Sequence, residues 1–99
     1  MARQRSGKTL SGNYDIELSS DFKKEARKLT KGNSELIDDI EKAIGKISEN
    51  PLIGEPLKTP QFRGLWKYRV GKYRLIYSMD FKNKTCYLRY IKRRDKAYK

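Results

Sequence analysis

From Tyr14 to Leu18 the chain alternates, with Tyr14, Ile16 and Leu18 on one side and Asp15 and Glu17 on the other. A period of two is what a strand with one buried face requires. The period then lengthens. Ser19-Ser20-Asp21 supplies a helix start, and Phe22, Ala26 and Leu29 follow at i, i+4 and i+7. Lys31-Gly32 ends that helix with a cation near the negative end of its dipole and a glycine for the left-handed cap. A second helix is expected from Asn33-Ser34, with an apolar stripe of Leu36, Ile37, Ile40, Ala43, Ile44 and Ile47, and Asn50-Pro51 stops it. So short a break between the two predicts an antiparallel helical hairpin.

The stretch PLIGEPLKTPQFRG reads as loop, because three prolines and two glycines in 14 residues oppose both ladder and helix. Three strands are expected beyond it, at roughly 65–70, 73–79 and 85–92. Gly71-Lys72 links the first two as a two-residue hairpin turn with glycine at the first central position, as a type II′ turn prefers, and DFKNK makes the next turn. NKT at 83–85 matches a glycosylation pattern but is read as part of that turn. The predicted fold is α+β: an N-terminal strand, a helical hairpin and a three-stranded antiparallel meander, with the helices on one face of a single sheet. Residues 1–13 read as a basic, flexible N-terminal arm, and 14–99 as one domain.

The turn at 71–72 sets Val70 opposite Tyr73, Arg69 opposite Arg74, Tyr68 opposite Leu75, Lys67 opposite Ile76 and Trp66 opposite Tyr77. One face then carries Trp66, Tyr68, Val70, Tyr73, Leu75, Tyr77 and Met79 and should cover the helices. The other carries Lys67, Arg69, Arg74, Ile76 and Ser78. Strict alternation in the last strand adds Cys86, Leu88 and Tyr90 to the core face and Tyr87, Arg89, Ile91 and Arg93 to the open one. Like charges directly opposite on neighbouring strands cost about 0.2 to 1 kcal/mol, and no carboxylate is expected on this face to relieve Arg69 against Arg74. A solvated sheet surface would interleave acids. Clustered guanidinium groups on a rigid sheet suit phosphate oxygens instead.

Charge sharpens the picture. Of the net +12, residues 1–61 contribute 11 Lys/Arg against 10 Asp/Glu, whereas 62–99 contribute 13 against 2. So localised a basic footprint predicts a polyanionic partner. With no histidine and Cys86 the sole cysteine, an intrachain disulfide, a Cys/His zinc site and histidine-based triads are excluded. The acids do not repeat at metal-ligand spacing, so no metal or cofactor is expected. No transmembrane or secretory segment is legible, which makes the cytoplasm the expected location and a membrane partner unexpected. The tail YIKRRDKAYK adds Lys92, Arg93, Arg94, Lys96 and Tyr98. Tyr98 reads either as a hydrophobic anchor or, beside so many cations that favour its phenolate, as a base or a stacking partner for a nucleobase.

The hairpin LWKYRVGKYRLIY followed by LRYIKRRDKAY resembles the RelE/ParE superfamily of type II toxins, whose shared pattern is an R-V-G-x-Y-R-x-I-Y hairpin and a basic R-R-x-x-Y ending. The resemblance covers residues 14–98. It implies either a ribosome-dependent mRNA endonuclease of the RelE kind or a gyrase poison of the ParE kind, held inactive by an acidic, RelB-like antitoxin in a hetero-oligomer. For the first kind it implies a catalytic set of Lys67 and Arg69, Arg74, Arg93 and Tyr98, with Arg94 replacing Arg93 if the tail slips by one. Arg89, Lys92, Arg94 and Lys96 would bind RNA. Many relatives carry histidine and glycine where this chain has Lys92 and Ile91, so imidazole chemistry is not carried over.

The implied reaction is attack of a ribose 2′-hydroxyl on the adjacent phosphorus, giving a 2′,3′-cyclic phosphate and a 5′-hydroxyl without metal. On this reading Arg74 and Arg69 hold the phosphate, and Lys67 adds charge or serves as base. Tyr98 is base or orienter, and Arg93 assists the leaving oxygen. With no strong base evident, rate rests on positioning, which suits a toxin whose mRNA is oriented by the ribosome. Gyrase inhibition and plain nucleic-acid binding are the rival readings.

Overall fold

The structure is a computed structural model that describes residues 13–93. Only Asn13 of the expected arm falls within it, and Arg94, Lys96 and Tyr98 lie outside the described residues. In chain order the elements are β1 (Asp15–Leu18), α1 (Ser20–Thr30), α2 (Ser34–Glu49), a 3-10 turn (Pro51–Ile53) and β2 (Glu55–Pro56). A second 3-10 turn (Pro60–Phe62), β3 (Trp66–Val70), β4 (Tyr73–Asp80) and β5 (Thr85–Arg93) complete the chain. The sheet order is β1-β5-β4-β3-β2, with β1 parallel to β5 and every other pair antiparallel. No helix among the described residues is long and apolar enough to cross a membrane.

Caps fix both helices where the sequence places them. The Ser19 hydroxyl accepts from the N–H of Phe22 at 3.0 Å, and Asn33 Oδ1 accepts from that of Leu36 at 3.0 Å. Between the helices Gly32 takes φ +72°, the left-handed conformation that closes α1. Phe22, Ile40, Ala43 and Ile47 pack onto Leu75, Tyr77, Cys86, Leu88 and Ile91, so both helices cover one face of the sheet. β1 is tied to the end of α2 by the Ser48 hydroxyl, which donates to the Tyr14 carbonyl at 2.6 Å, and by the Tyr14 N–H to the Ser48 carbonyl at 2.8 Å.

The β3–β4 hairpin has the expected register, from Val70 opposite Tyr73 to Trp66 opposite Tyr77, with Gly71 at φ +60° in the turn. The β4–β5 turn is closed by Asp80, whose carboxylate accepts from the backbone and side chain of Asn83 at 3.2 and 2.7 Å. Those hydrogen bonds hold the Asp80 carboxyl below its ordinary value.

Two expectations are corrected. Glu55–Pro56 is not loop but pairs with Lys67 and Trp66, forming an edge strand within the proline-rich stretch. Proline is tolerated there because an edge residue need not donate outward. The segment is seated by the Tyr77 hydroxyl, which donates to the Pro51 carbonyl at 2.6 Å and accepts from the Gly54 N–H at 3.2 Å. Gly54 is obligatory on packing grounds, since a Cβ would lie 2.3 Å from the Lys67 carbonyl oxygen and 2.6 Å from the Tyr77 hydroxyl.

The second correction concerns β5. Its ladder with β4 runs regularly from Asp80 opposite Thr85 to Tyr77 opposite Leu88, then resumes with Ile76 opposite Tyr90. Arg89 is the extra residue of a β-bulge. Beyond it, the alternation inverts: Ile91 enters the core at 2% exposure, Tyr90 and Lys92 join the open face, and Arg93 pairs with Tyr73 on the helix-covered side. The helix cap anchors the bulge. Ser19, while capping α1, also donates its hydroxyl hydrogen to the Arg89 carbonyl at 2.7 Å, and its N–H reaches the Leu88 carbonyl at 2.9 Å.

Ser19→Ala should therefore cost more than the roughly 1 kcal/mol of an ordinary lost cap. Ser19→Asp, which keeps the cap but cannot donate to Arg89, should recover only part of that loss in denaturant unfolding. A Ser19→Asp protein as stable as the parent would show that the second bond does nothing. The buried acids give a pH prediction. Burial pushes the Tyr77 hydroxyl up to about 12, against the opposing hydrogen bond from Gly54, and pushes the Cys86 thiol up to about 12. Both are neutral in the fold, whereas in the unfolded chain a thiol ionises near 8.5 and a phenol near 10. Their contribution is complete below those values and is lost as pH rises towards 12. Denaturation midpoints should fall across that window, and Tyr77→Phe should remove the part beginning near pH 10.

Candidate nucleic-acid interface

The sheet face away from the helices is organised in rows across the strands. At the hairpin end Arg69, Arg74 and Lys92 stand opposite one another on β3, β4 and β5, a line of three cations. Arg69 and Lys92 are exposed; Arg74 is half-buried, with its Nη1 atom shielded from solvent. A guanidinium partly withdrawn from water interacts with an anion more strongly than one in bulk solvent, because the local dielectric is lower.

The next row is Glu55, Lys67, Ile76 and Tyr90. Lys67 Nζ lies 3.7 Å from Glu55 Oε1, the Lys67 side chain being 25% exposed and that of Glu55 76%. Ile76 is buried to 4% although it lies on the open face, with Lys67 and Tyr90 as its cross-strand partners. The expectation that this face carries no carboxylate is thus corrected at the β2 edge. Further along come Ser78, Tyr87 and Glu17, then Asp80, Thr85 and Asp15. The face is graded: cations at the hairpin end, carboxylates at the other.

Arg89, the bulge residue itself, keeps its place on this face. Its Nε donates to Ser78 Oγ at 3.1 Å, and its guanidinium lies 5.5 Å from the Tyr87 ring centroid. Lys92 Nζ likewise lies 5.2 Å from the centroid of Tyr90. Both distances are within cation–π range.

Lys67, Arg69, Arg74, Arg89 and Lys92 therefore share one surface, whereas Arg93, expected there, pairs into the opposite side at the end of β5. The cause is the bulge: one inserted residue exchanges the faces of everything after it. Sequence reasoning missed Glu55 and the facing of Tyr90. Glu55 carries no periodic signal, since its place depends on a two-residue ladder to a distant strand. A signal did exist for Tyr90. Cys86, Leu88 and Ile91 are all apolar at spacings of two and three, which a strand can bury on one face only with an extra residue between the last two.

The family model described as ParE toxin of type II toxin-antitoxin system, parDE, matches residues 16–98. No curated protein matches the chain. Among solved structures, the RelBE2 toxin–antitoxin complex from Mycobacterium tuberculosis contains a chain of 28% identity and TM-score 0.71, with 83% of this chain and 99% of that one covered. The isolated RelE toxin of E. coli is similar at 19% identity and TM-score 0.67, with 86% and 88% covered. YafQ from E. coli is similar at 19% identity and TM-score 0.67, with 87% and 99% covered. The latter two likenesses show the shared fold. Matched by that family model over nearly all of its described length and beyond, the chain belongs to the ParE toxin family of the RelE/ParE superfamily, and is a toxin of a toxin–antitoxin system.

Proposed function

We propose that this toxin is a ribosome-dependent mRNA endonuclease of the RelE kind. The observation that carries the reading is the line Arg69–Arg74–Lys92 set beside the Glu55–Lys67 pair. Three cations across adjacent strands form a cradle for one phosphodiester and for the charge that grows on it as the 2′-oxygen attacks. The new P–O bond forms as the P–O5′ bond breaks, leaving a 2′,3′-cyclic phosphate and a 5′-hydroxyl. The 2′-hydroxyl proton must go to a base and the 5′-oxygen must receive one.

Glu55 fills the base role that the sequence left open between Lys67 and Tyr98: it is an exposed carboxylate next to the cradle. Lys67 orients it and presents a proton towards the leaving oxygen. Arg74 and Arg69 grip the non-bridging oxygens, and Lys92 extends their row. Arg94, Lys96 and Tyr98 act from the tail, Tyr98 as an orienting or stacking group and the cations on flanking phosphates, while Arg93, turned to the other side of the sheet by the bulge, is left out of the cradle. The partners on this reading are mRNA in the ribosome and an acidic, RelB-like antitoxin that neutralises the face, all in the cytoplasm. Several of the similar solved structures are toxin–antitoxin complexes, which supports an antitoxin partner.

The ParE description of the matching family model favours a second reading, inhibition of DNA gyrase, which would not need the cradle. A translating extract separates the two. Reporter mRNA should be cut within codons only while ribosomes engage it, whereas intact mRNA with cleaved DNA trapped on gyrase would overturn the nuclease reading. Arg74→Ala should lower the cutting rate by about 100-fold, the effect of losing one transition-state donor. Glu55→Gln should lower kcat, by removing the carboxylate that takes the 2′-hydroxyl proton.

Arg69→Gln should separate stability from function. Removing one of two opposed like charges should stabilise the fold by about 0.2 to 1 kcal/mol in thermal or denaturant unfolding. It should also weaken binding to an RNA oligonucleotide and reduce the salt slope by about 1. An Arg69→Gln protein with lower stability and unchanged RNA binding would contradict the cradle.

A further inference from the structure

The bulge at Arg89 does more than re-aim Ile91. Tyr90, which it turns to the open face, stands opposite Ile76, one row from the cation line, with the Lys92 ammonium 5.2 Å from its ring centroid. Arg89 is held against Ser78 Oγ and lies over the ring of Tyr87. An arginine fixed at its Nε and backed by an aromatic ring presents a flat, pre-oriented guanidinium, whose outer nitrogens remain to hydrogen-bond the edge of a base. Successive rows lie about 6.7 Å apart, two residues of strand rise.

We propose that Tyr90 and the Arg89–Tyr87 couple are nucleobase platforms, on which the nucleotides next to the scissile phosphate stack. Arg89 distinguishes bases by the acceptors on their edges. The inference rests on the mRNA reading and adds to it which residues touch bases rather than phosphate. It assigns to Arg89 a role other than charge. Phosphate neutralisation needs only a cation, which a lysine would supply as well; the tie to Ser78 and the ring beneath are of use to a group whose plane matters. Guanidinium planes and aromatic rings are the usual stacking partners of unpaired RNA bases. The cation line beside them supplies the complementary charge for a single-stranded RNA. Guanine, with two adjacent acceptors on its outer edge, is the base that a forked arginine matches best.

The test is fluorescence anisotropy with a short single-stranded RNA containing guanine and an abasic ribose-phosphate chain of equal length, each measured over a salt series. The parent protein should prefer the RNA by about 10-fold, the scale of one to two stacked bases. Arg89→Lys keeps the charge and loses the plane; it should lose most of that preference with the salt slope unchanged. Tyr90→Leu should behave in the same way. Equal binding of both chains by the parent, or retention of the preference by Arg89→Lys, would overturn the proposal. So would a drop in salt slope of about 1 for Arg89→Gln, which removes the charge and would place Arg89 on phosphate. The assay involves no cleavage, so a base preference without ribosome-dependent cutting in extracts would refute the nuclease reading and leave the platforms standing.

Discussion

One serine hydroxyl holds two parts of the backbone that the rest of the face depends on. Ser19 Oγ accepts from the first turn of α1 and donates to the Arg89 carbonyl, so the start of the first helix and the irregularity of the last strand are fixed by one atom. Without the bulge, β5 would place Ile91 in solvent and Tyr90 against the helices, and Lys92 would leave the line of Arg69 and Arg74. With it, Ile91 seals the core and the open face receives Tyr90 and Lys92. Helix capping, core closure and the chemistry of the surface are thus linked through a local hydrogen bond.

The surface so built is not optimised for stability. Arg69 and Arg74 face each other, Lys92 extends the line, and Ile76 is an apolar side chain sealed on the wrong side of a two-layer fold. Each feature is costly or wasteful for a surface that only meets water, and each is useful to one that receives a charged, flat ligand. Acidic residues are present on the same face, but Glu17, Asp15 and Asp80 sit at the far end, where they shorten the reach of the positive field instead of neutralising it. Glu55 is the exception, and on the proposed reading it stands where a base is needed.

Much of this was legible in the sequence, for identifiable reasons. Ser19 and Asn33 announce their helices through contacts three residues away, and Gly71-Lys72 sets the β3–β4 register through the geometry of a two-residue turn. Local causes leave local marks. The pairing of Glu55-Pro56 with Trp66 and Lys67 depends on where the proline-rich segment is pinned, and the bulge depends on a serine 70 positions earlier. Neither leaves a periodic trace. The line of cations was half visible: Arg69 and Arg74 followed from the turn, while Lys92 faces Arg74 only because of the bulge, one residue that alternation cannot count.

The same dependence on distant seats governs Glu55. It is carried on a two-residue strand, too short to hold itself, and what fixes it is the preceding turn, locked by the Tyr77 hydroxyl from inside the core. Gly54 lets that turn press against the Lys67 carbonyl, so the backbone that carries Lys67 and the backbone that carries Glu55 are in contact below the pair that their side chains form above. A buried phenol that supports neither charge nor chemistry itself therefore sets the separation of a carboxylate and an ammonium on the outside. Side chains placed from beneath in this way need no ordering by the substrate, which is the condition for a weakly basic site to work by positioning.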